Sequence, residues 1–175
     1  MEVHVARQPI FDSAKQVIGY ELLFRNGEDD FFPGMDADQA TADVISSSFF
    51  LKIVDDLTCG KKAFINFTPR FLKHEMMTML PPQSVALELS ENGEVGPEVL
   101  AACQHLKEQG YMVVIDDFIF RQQSDLLVQL ADMVKVDFLR TKDDERRSIA
   151  QKLAGSRVAL LAEKIVSRLS STDKL

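Results

Sequence analysis

The sequence predicts an α/β protein built around a largely parallel sheet. Three observations carry that reading. Short, nearly all-apolar runs alternate with helical segments, the first two runs read as a hairpin, and a polar residue closes almost every run. Short apolar strands of this kind suit a sheet whose faces are covered. Alternating β and α units leave two architectures open, a doubly wound sheet or a (β/α)8 barrel.

The elements follow in order. Residues 3–10 and 16–24 are rich in Val, Ile, Tyr and Phe, and Asp12-Ser13-Ala14-Lys15 reads as the turn between them. Residues 26–37 hold acids, two glycines and a proline, which is loop chemistry. Over 38–57, Ala42, Val44, Ile45, Phe49, Ile53 and Leu57 repeat at helical spacing, and Gly60 follows as a stop. Strands are then expected at 63–67, 85–89, 111–115, 133–137 and 158–162. Helices are expected at 69–79, 97–109, 124–131 and 143–154. The helix over 97–109 has Pro97 in its first turn and Gly110 beyond its end, the asymmetry that helix termini favour.

Composition narrows the function classes. The chain has 175 residues, 46% hydrophobic and 27% charged, an ordinary globular balance. No linker or repeat divides it, so residues 1–175 read as one domain. No run approaches the roughly 20 apolar residues of a membrane span, and the start lacks a secretory signal. Cys59 and Cys103 form no CxxC pair; they read as reduced thiols of a cytoplasmic protein. A net charge of −7 argues against DNA as a partner.

The strand ends are the informative feature. They carry Glu21, Asn66, Glu88, Asp116 with Asp117, Lys135 with Asp137, and Glu163. A carboxylate at the end of a buried strand is unfavourable unless something pairs with it. In a barrel these ends converge on one face, where catalytic groups collect. An all-oxygen set suits Mg²⁺, Mn²⁺ or Ca²⁺. So many acids in one mouth call for cations between them, and two divalent ions sharing a carboxylate fit phosphoester hydrolysis. Lys135 in such a mouth orients a water or balances charge. Other polar features take plainer readings. His4, His74 and His105 are scattered, Met76, Met77 and Met79 with Phe71 suit a core-facing helix, and 142–147 suits a solvated helix start.

The segments ARQPIFD, GYELLFR, INFTP, LELSEN, VIDDF, VKVDFL and LLAEK, in that order over residues 6–164, resemble an EAL domain. This is the cyclic-di-GMP phosphodiesterase module of bacterial signalling, here closest to the subtype that precedes an HDOD domain. The resemblance implies a TIM-like barrel whose first strand runs antiparallel to its neighbour. It implies hydrolysis of cyclic-di-GMP to linear pGpG with two Mg²⁺ or Mn²⁺ ions. Glu21, Asn66, Glu88 and Asp116 would bind metal, with Asp117 beside the second ion. Lys135 would hold or deprotonate the attacking water, and Arg25 would contact a ligand phosphate. Gln8 and Glu163 would line the pocket, and Glu91 would steady the loop after the Asp pair. A receiver-type fold also uses an Asp pair and a late lysine, but its pair follows the first strand.

Three departures from the family pattern stand out. After Phe118 the family's Gly-Thr-Gly-Tyr-Ser-Ser reads Ile119-Phe120-Arg121-Gln122-Gln123-Ser124. The AEGVET-like segment reads Ala162-Glu163-Lys164-Ile165-Val166-Ser167. The chain ends at Leu175, where the resemblance expects two further strands, so six of eight are expected here. That outcome implies a fragment, or a chain whose open side is covered by an HDOD-like domain, another partner or a second copy. The altered loop also supports an alternative function, a non-catalytic module that binds cyclic-di-GMP or a protein and regulates an attached domain.

Overall fold

A computed structural model describes residues 4–25, 54–67, 81–90, 96–118 and 124–165. The loop expected over 26–37, the helix expected over 69–79, most of the helix expected over 38–57, the loop 119–123, His74, the three methionines near it and Glu91 lie outside these residues.

Seven strands form one sheet in sequence order: β1 His4–Phe11, β2 Val17–Arg25, β3 Lys62–Asn66, β4 Val85–Ser90, β5 Met112–Asp116, β6 Met133–Asp137 and β7 Ala159–Glu163. β1 pairs antiparallel with β2, and every later pairing is parallel. Among the described residues, 54–58 are helical and three helices have both ends described: α1 Pro97–Glu108, α2 Ser124–Leu130 and α3 Asp143–Leu153. The strand order never reverses, whereas a doubly wound sheet reverses at its switch point. The sheet is therefore a curled section of barrel wall. The strand ends counted from the sequence belong to β2–β7, and antiparallel β1 is a seventh strand.

The hairpin forms for a local reason. Asp12 Oδ1 accepts hydrogen bonds from the backbone N–H of Ala14 (2.9 Å) and Gln16 (2.8 Å), and Lys15 takes a φ of +60°. An Asx-type turn of this sort needs an Asp or Asn at its start.

Two cores sit on the two faces of the sheet. Between sheet and helices pack Leu22, Ile65, Leu87, Val99, Cys103, Leu106, Val113, Ile115, Val134, Val136, Ile149 and Leu153, among others. The concave face holds a smaller cluster, Ile10, Phe64, Ala86, Val114 and Met133, with Met112 and Leu161 against it. Side chains alternate between faces along a strand. Two residues beyond the inner apolar layer therefore come Asn66 after Phe64, Glu88 after Ala86, Asp116 after Val114, Lys135 after Met133 and Glu163 after Leu161. On β2 the same face carries Gly19 and then Glu21. A Cβ at Gly19 would lie 2.5 Å from Phe64 Cε2 and 2.6 Å from the Lys62 carbonyl, so only glycine lets β2 and β3 close beneath Glu21.

Candidate active site

The inward polar layer converges on one ammonium. Lys135 Nζ lies 2.7 Å from Glu163 Oε1, 3.0 Å from Glu88 Oε1, 3.3 Å from Glu21 Oε2 and 3.5 Å from Asp116 Oδ1. Lys135 is 1% exposed and Glu88 is wholly buried. Burial pushes the Lys135 ammonium toward neutrality, but Glu88, Asp116, Glu21 and the bond to Glu163 outweigh it and hold the lysine charged. Burial pushes the Glu88 carboxyl up to about 8; Lys135 opposes this, and Glu21 and Asp116 add to it. Glu163 is raised as well, first by burial. A charged lysine can donate a hydrogen bond to an oxygen and orient it, but it cannot take that oxygen's proton.

The remaining sequence-predicted residues fall as follows. Asn66 stands opposite Glu88 in the β3–β4 register and is exposed. Gln8 stands opposite Glu21 on β1. Arg25 closes β2. Asp117 leaves the cluster: its backbone has a φ of +52°, and its Oδ2 lies 3.3 Å from Arg140 Nη1. Its N–H donates to Asp116 Oδ1 at 2.8 Å.

Whether these residues suit a divalent cation can be judged from Glu88. Apart from the ion pair with Lys135, neither carboxylate oxygen of Glu88 has a hydrogen-bond partner among the described residues. A buried acid left that way calls for a cation. Four carboxylates also face a single ammonium. The donor chemistry fits a hard divalent ion. Among the described residues, no three His, Cys, Asp or Glu side chains are arranged to hold a metal as they stand, because the ammonium takes the centre of the acids.

Sequence reasoning placed Asp137 at a strand end but missed the partners that hold it behind this cluster. Asp137 is buried, and its carboxylate accepts hydrogen bonds from the N–H of Leu139 (2.7 Å) and Arg140 (3.2 Å) and from Lys164 Nζ (2.6 Å). Burial alone would raise its pKa, but the Lys164 ammonium and the two amides hold it below the ordinary value. A hint lay in the lysine following Glu163, where the family pattern has glycine. Outside the site, Arg146 pairs with Asp143 at 2.8 Å on α3, as the charged run predicts.

No protein-family model matches the chain. It is 40% identical over 173 residues to the uncharacterized protein YuxH of Bacillus subtilis, covering 96% of this chain and 42% of YuxH. It is 33% identical over 168 residues to the cyclic di-GMP phosphodiesterase CdgJ of Vibrio cholerae, covering 93% of this chain and 38% of CdgJ. The chain thus spans about two fifths of the length of these curated relatives. Among solved structures it resembles Klebsiella pneumoniae BlrP1 in complex with calcium and cyclic-di-GMP, with a TM-score of 0.73 at 20% identity, over 94% of this chain and 50% of BlrP1. It also resembles Bacillus subtilis YkuI, which has an EAL domain and was solved with its substrate c-di-GMP and calcium. There the TM-score is 0.71 at 20% identity, over 94% of this chain and 50% of YkuI. At such identities these likenesses establish the fold.

Proposed function

We propose that the chain, whose fold resembles that of the EAL-domain protein YkuI, is itself an EAL-type domain and the catalytic part of a metal-dependent phosphodiesterase hydrolysing cyclic-di-GMP to linear pGpG. The observation that carries the reading is the buried convergence of Glu21, Glu88, Asp116 and Glu163 on Lys135. So acidic a centre is a poor place for a diester anion unless divalent cations accompany it.

Glu21, Asn66, Glu88 and Asp116, with Asp117, would hold two Mg²⁺ or Mn²⁺ ions. BlrP1 has been crystallised with cyclic-di-GMP and with calcium or manganese, which favours that class of ion. When bound, such ions polarise the phosphoryl oxygens and acidify a coordinated water. The chain's own groups do the rest. Lys135, held as an ammonium, donates a hydrogen bond to an oxygen in the mouth and fixes its direction. Arg25 suits a phosphate, which a guanidinium fork grips through two donors. Gln8 and Glu163 would line the pocket edge; the role the resemblance implies for Glu91 falls outside the described residues. We take the unit as a single domain of the kind that would pair with an HDOD-like domain or a second copy.

A second reading has one observation in its favour. Asp117 pairs with Arg140 and stands apart from the other acids, as suits a module that binds cyclic-di-GMP without cleaving it. Turnover decides between them. Purified chain is incubated with cyclic-di-GMP in Mg²⁺ or Mn²⁺ and the products are resolved by chromatography, with Glu21→Ala alongside. Linear dinucleotide from the parent and none from the variant is the expected result. A folded parent that binds the ligand without product would replace the enzyme reading with the binding one.

A further inference from the structure

We propose that Lys164 is a positioning residue: its ion pair with Asp137 holds Glu163 in the site, while Arg140, paired with the same carboxylate, holds Asp117 on the other side. Its consequence for metal binding rests on the proposed function; the clamp itself does not.

The backbone gives the first reason. Lys164 has a φ of +51° and Asp117 a φ of +52°. A side chain in this left-handed region is strained, and glycine avoids that strain. Both residues sit immediately after a site acid, Glu163 and Asp116 respectively. A lysine kept where glycine would be unstrained points to a use for its side chain. That side chain reaches Asp137 Oδ2 at 2.6 Å.

The second reason is the position of β7. Among the described residues its one strand neighbour is β6, and its first residues are exposed. Among the described residues, Glu163 is therefore positioned from the β6 side. Asp137 stands opposite Glu163 in the β6–β7 register, and the Phe138 N–H donates to the Glu163 carbonyl at 3.1 Å. The Lys164–Asp137 pair closes the same corner through side chains. Glu163 Oε1 then meets Lys135 at 2.7 Å.

The third reason is that Asp137 serves both sides. Its Oδ2 also lies 3.8 Å from Arg140 Nε, and Arg140 Nη1 lies 3.3 Å from Asp117 Oδ2. Arg140 and Lys164 are themselves well exposed, so two exposed cations would ordinarily contribute little. Here both pair with a buried carboxylate, which is fixed in turn by the amides of Leu139 and Arg140.

Three variants test the clamp. Lys164→Gly removes the ion pair and relieves the backbone, Lys164→Met removes the ion pair alone, and Lys164→Arg keeps a cation. The readouts are hydrogen exchange at the Phe138 amide, Mn²⁺ affinity by electron paramagnetic resonance, and kcat and KM for cyclic-di-GMP. The Gly and Met variants are expected to lose protection at Phe138 and to bind Mn²⁺ roughly tenfold more weakly, because a displaced Glu163 leaves the Lys135 ammonium to compete for Glu21, Glu88 and Asp116. The Arg variant should restore both. Parent-like exchange and Mn²⁺ affinity in Lys164→Gly would overturn the proposal, since backbone conformation alone would then suffice. If the parent itself neither binds Mn²⁺ nor turns over, the functional reading fails, and Phe138 exchange still decides the clamp.

Discussion

Lys135 is the residue on which the site's electrostatics turn, and it makes two predictions. Removing one partner from a buried charge cluster costs about 3–5 kcal/mol, because the other charges stay buried and unpaired. Lys135→Met should therefore lose that much stability at pH 8, measured by urea unfolding, and less at pH 5, where more of the carboxyls are protonated. The second concerns Glu88, whose carboxyl is pushed from 4.5 up to about 8 on folding. Between those values the native state binds more protons than the unfolded state. Stability must then fall as pH rises through that window, by up to about 1.4 kcal/mol per pH unit for one proton. Glu88→Gln should flatten the decline in thermal midpoint from pH 5 to pH 8. An unchanged slope would show that Glu88 is ionised throughout. The acids of this cluster were legible in the sequence, because each interrupts an apolar run at its end. The Asp137–Lys164 pair was not, since Asp137 ends β6 and Lys164 follows β7, and no local spacing links them.

At the scale of elements, the strands and helices among the described residues were readable because short apolar runs and helix-terminal Pro and Gly are local signals. The sequence left a barrel and a doubly wound sheet equally open, because periodicity marks strands without ordering them. What separates them is the strand order, which never reverses, and the inner core that the curled sheet encloses is tightest at Gly19. A methyl there meets the Lys62 carbonyl and the Phe64 ring, and the carbonyl belongs to a paired strand that cannot move aside. Gly19→Ala should cost about 1–3 kcal/mol, as overpacking does. Gly96→Ala is the control. Nothing lies within 4 Å of a Cβ there, and its φ of −84° is open to any residue. It should stay within about 0.5 kcal/mol of the parent by urea unfolding. Equal losses in the two variants would mean that β2 and β3 are not in the close contact described.

At the scale of the molecule, the acidic mouth makes stability depend on what is bound. Four carboxylates share one ammonium, and the buried Glu88 oxygens lack hydrogen bonds. Among the described residues the Glu88 carboxylate meets only Lys135, and the fold thus carries an electrostatic burden that a divalent cation would relieve in the native state and hardly at all in the unfolded one. A ligand selective for the native state at a hundred times its Kd adds about 2.7 kcal/mol. For a chain of this size that is a rise of roughly 5–10 °C in Tm. Mn²⁺ should produce this rise, and EDTA should reverse it. Asp116→Asn should shrink the rise, because it removes one of the converging acids while keeping the side chain's shape. Calcium, with the same charge and a preference for oxygen, should also stabilise the parent, even where it does not support turnover. A parent whose Tm ignores all three additions would mean that Lys135 neutralises the mouth on its own, and the strand-end acids would then be a structural ion-pair cluster.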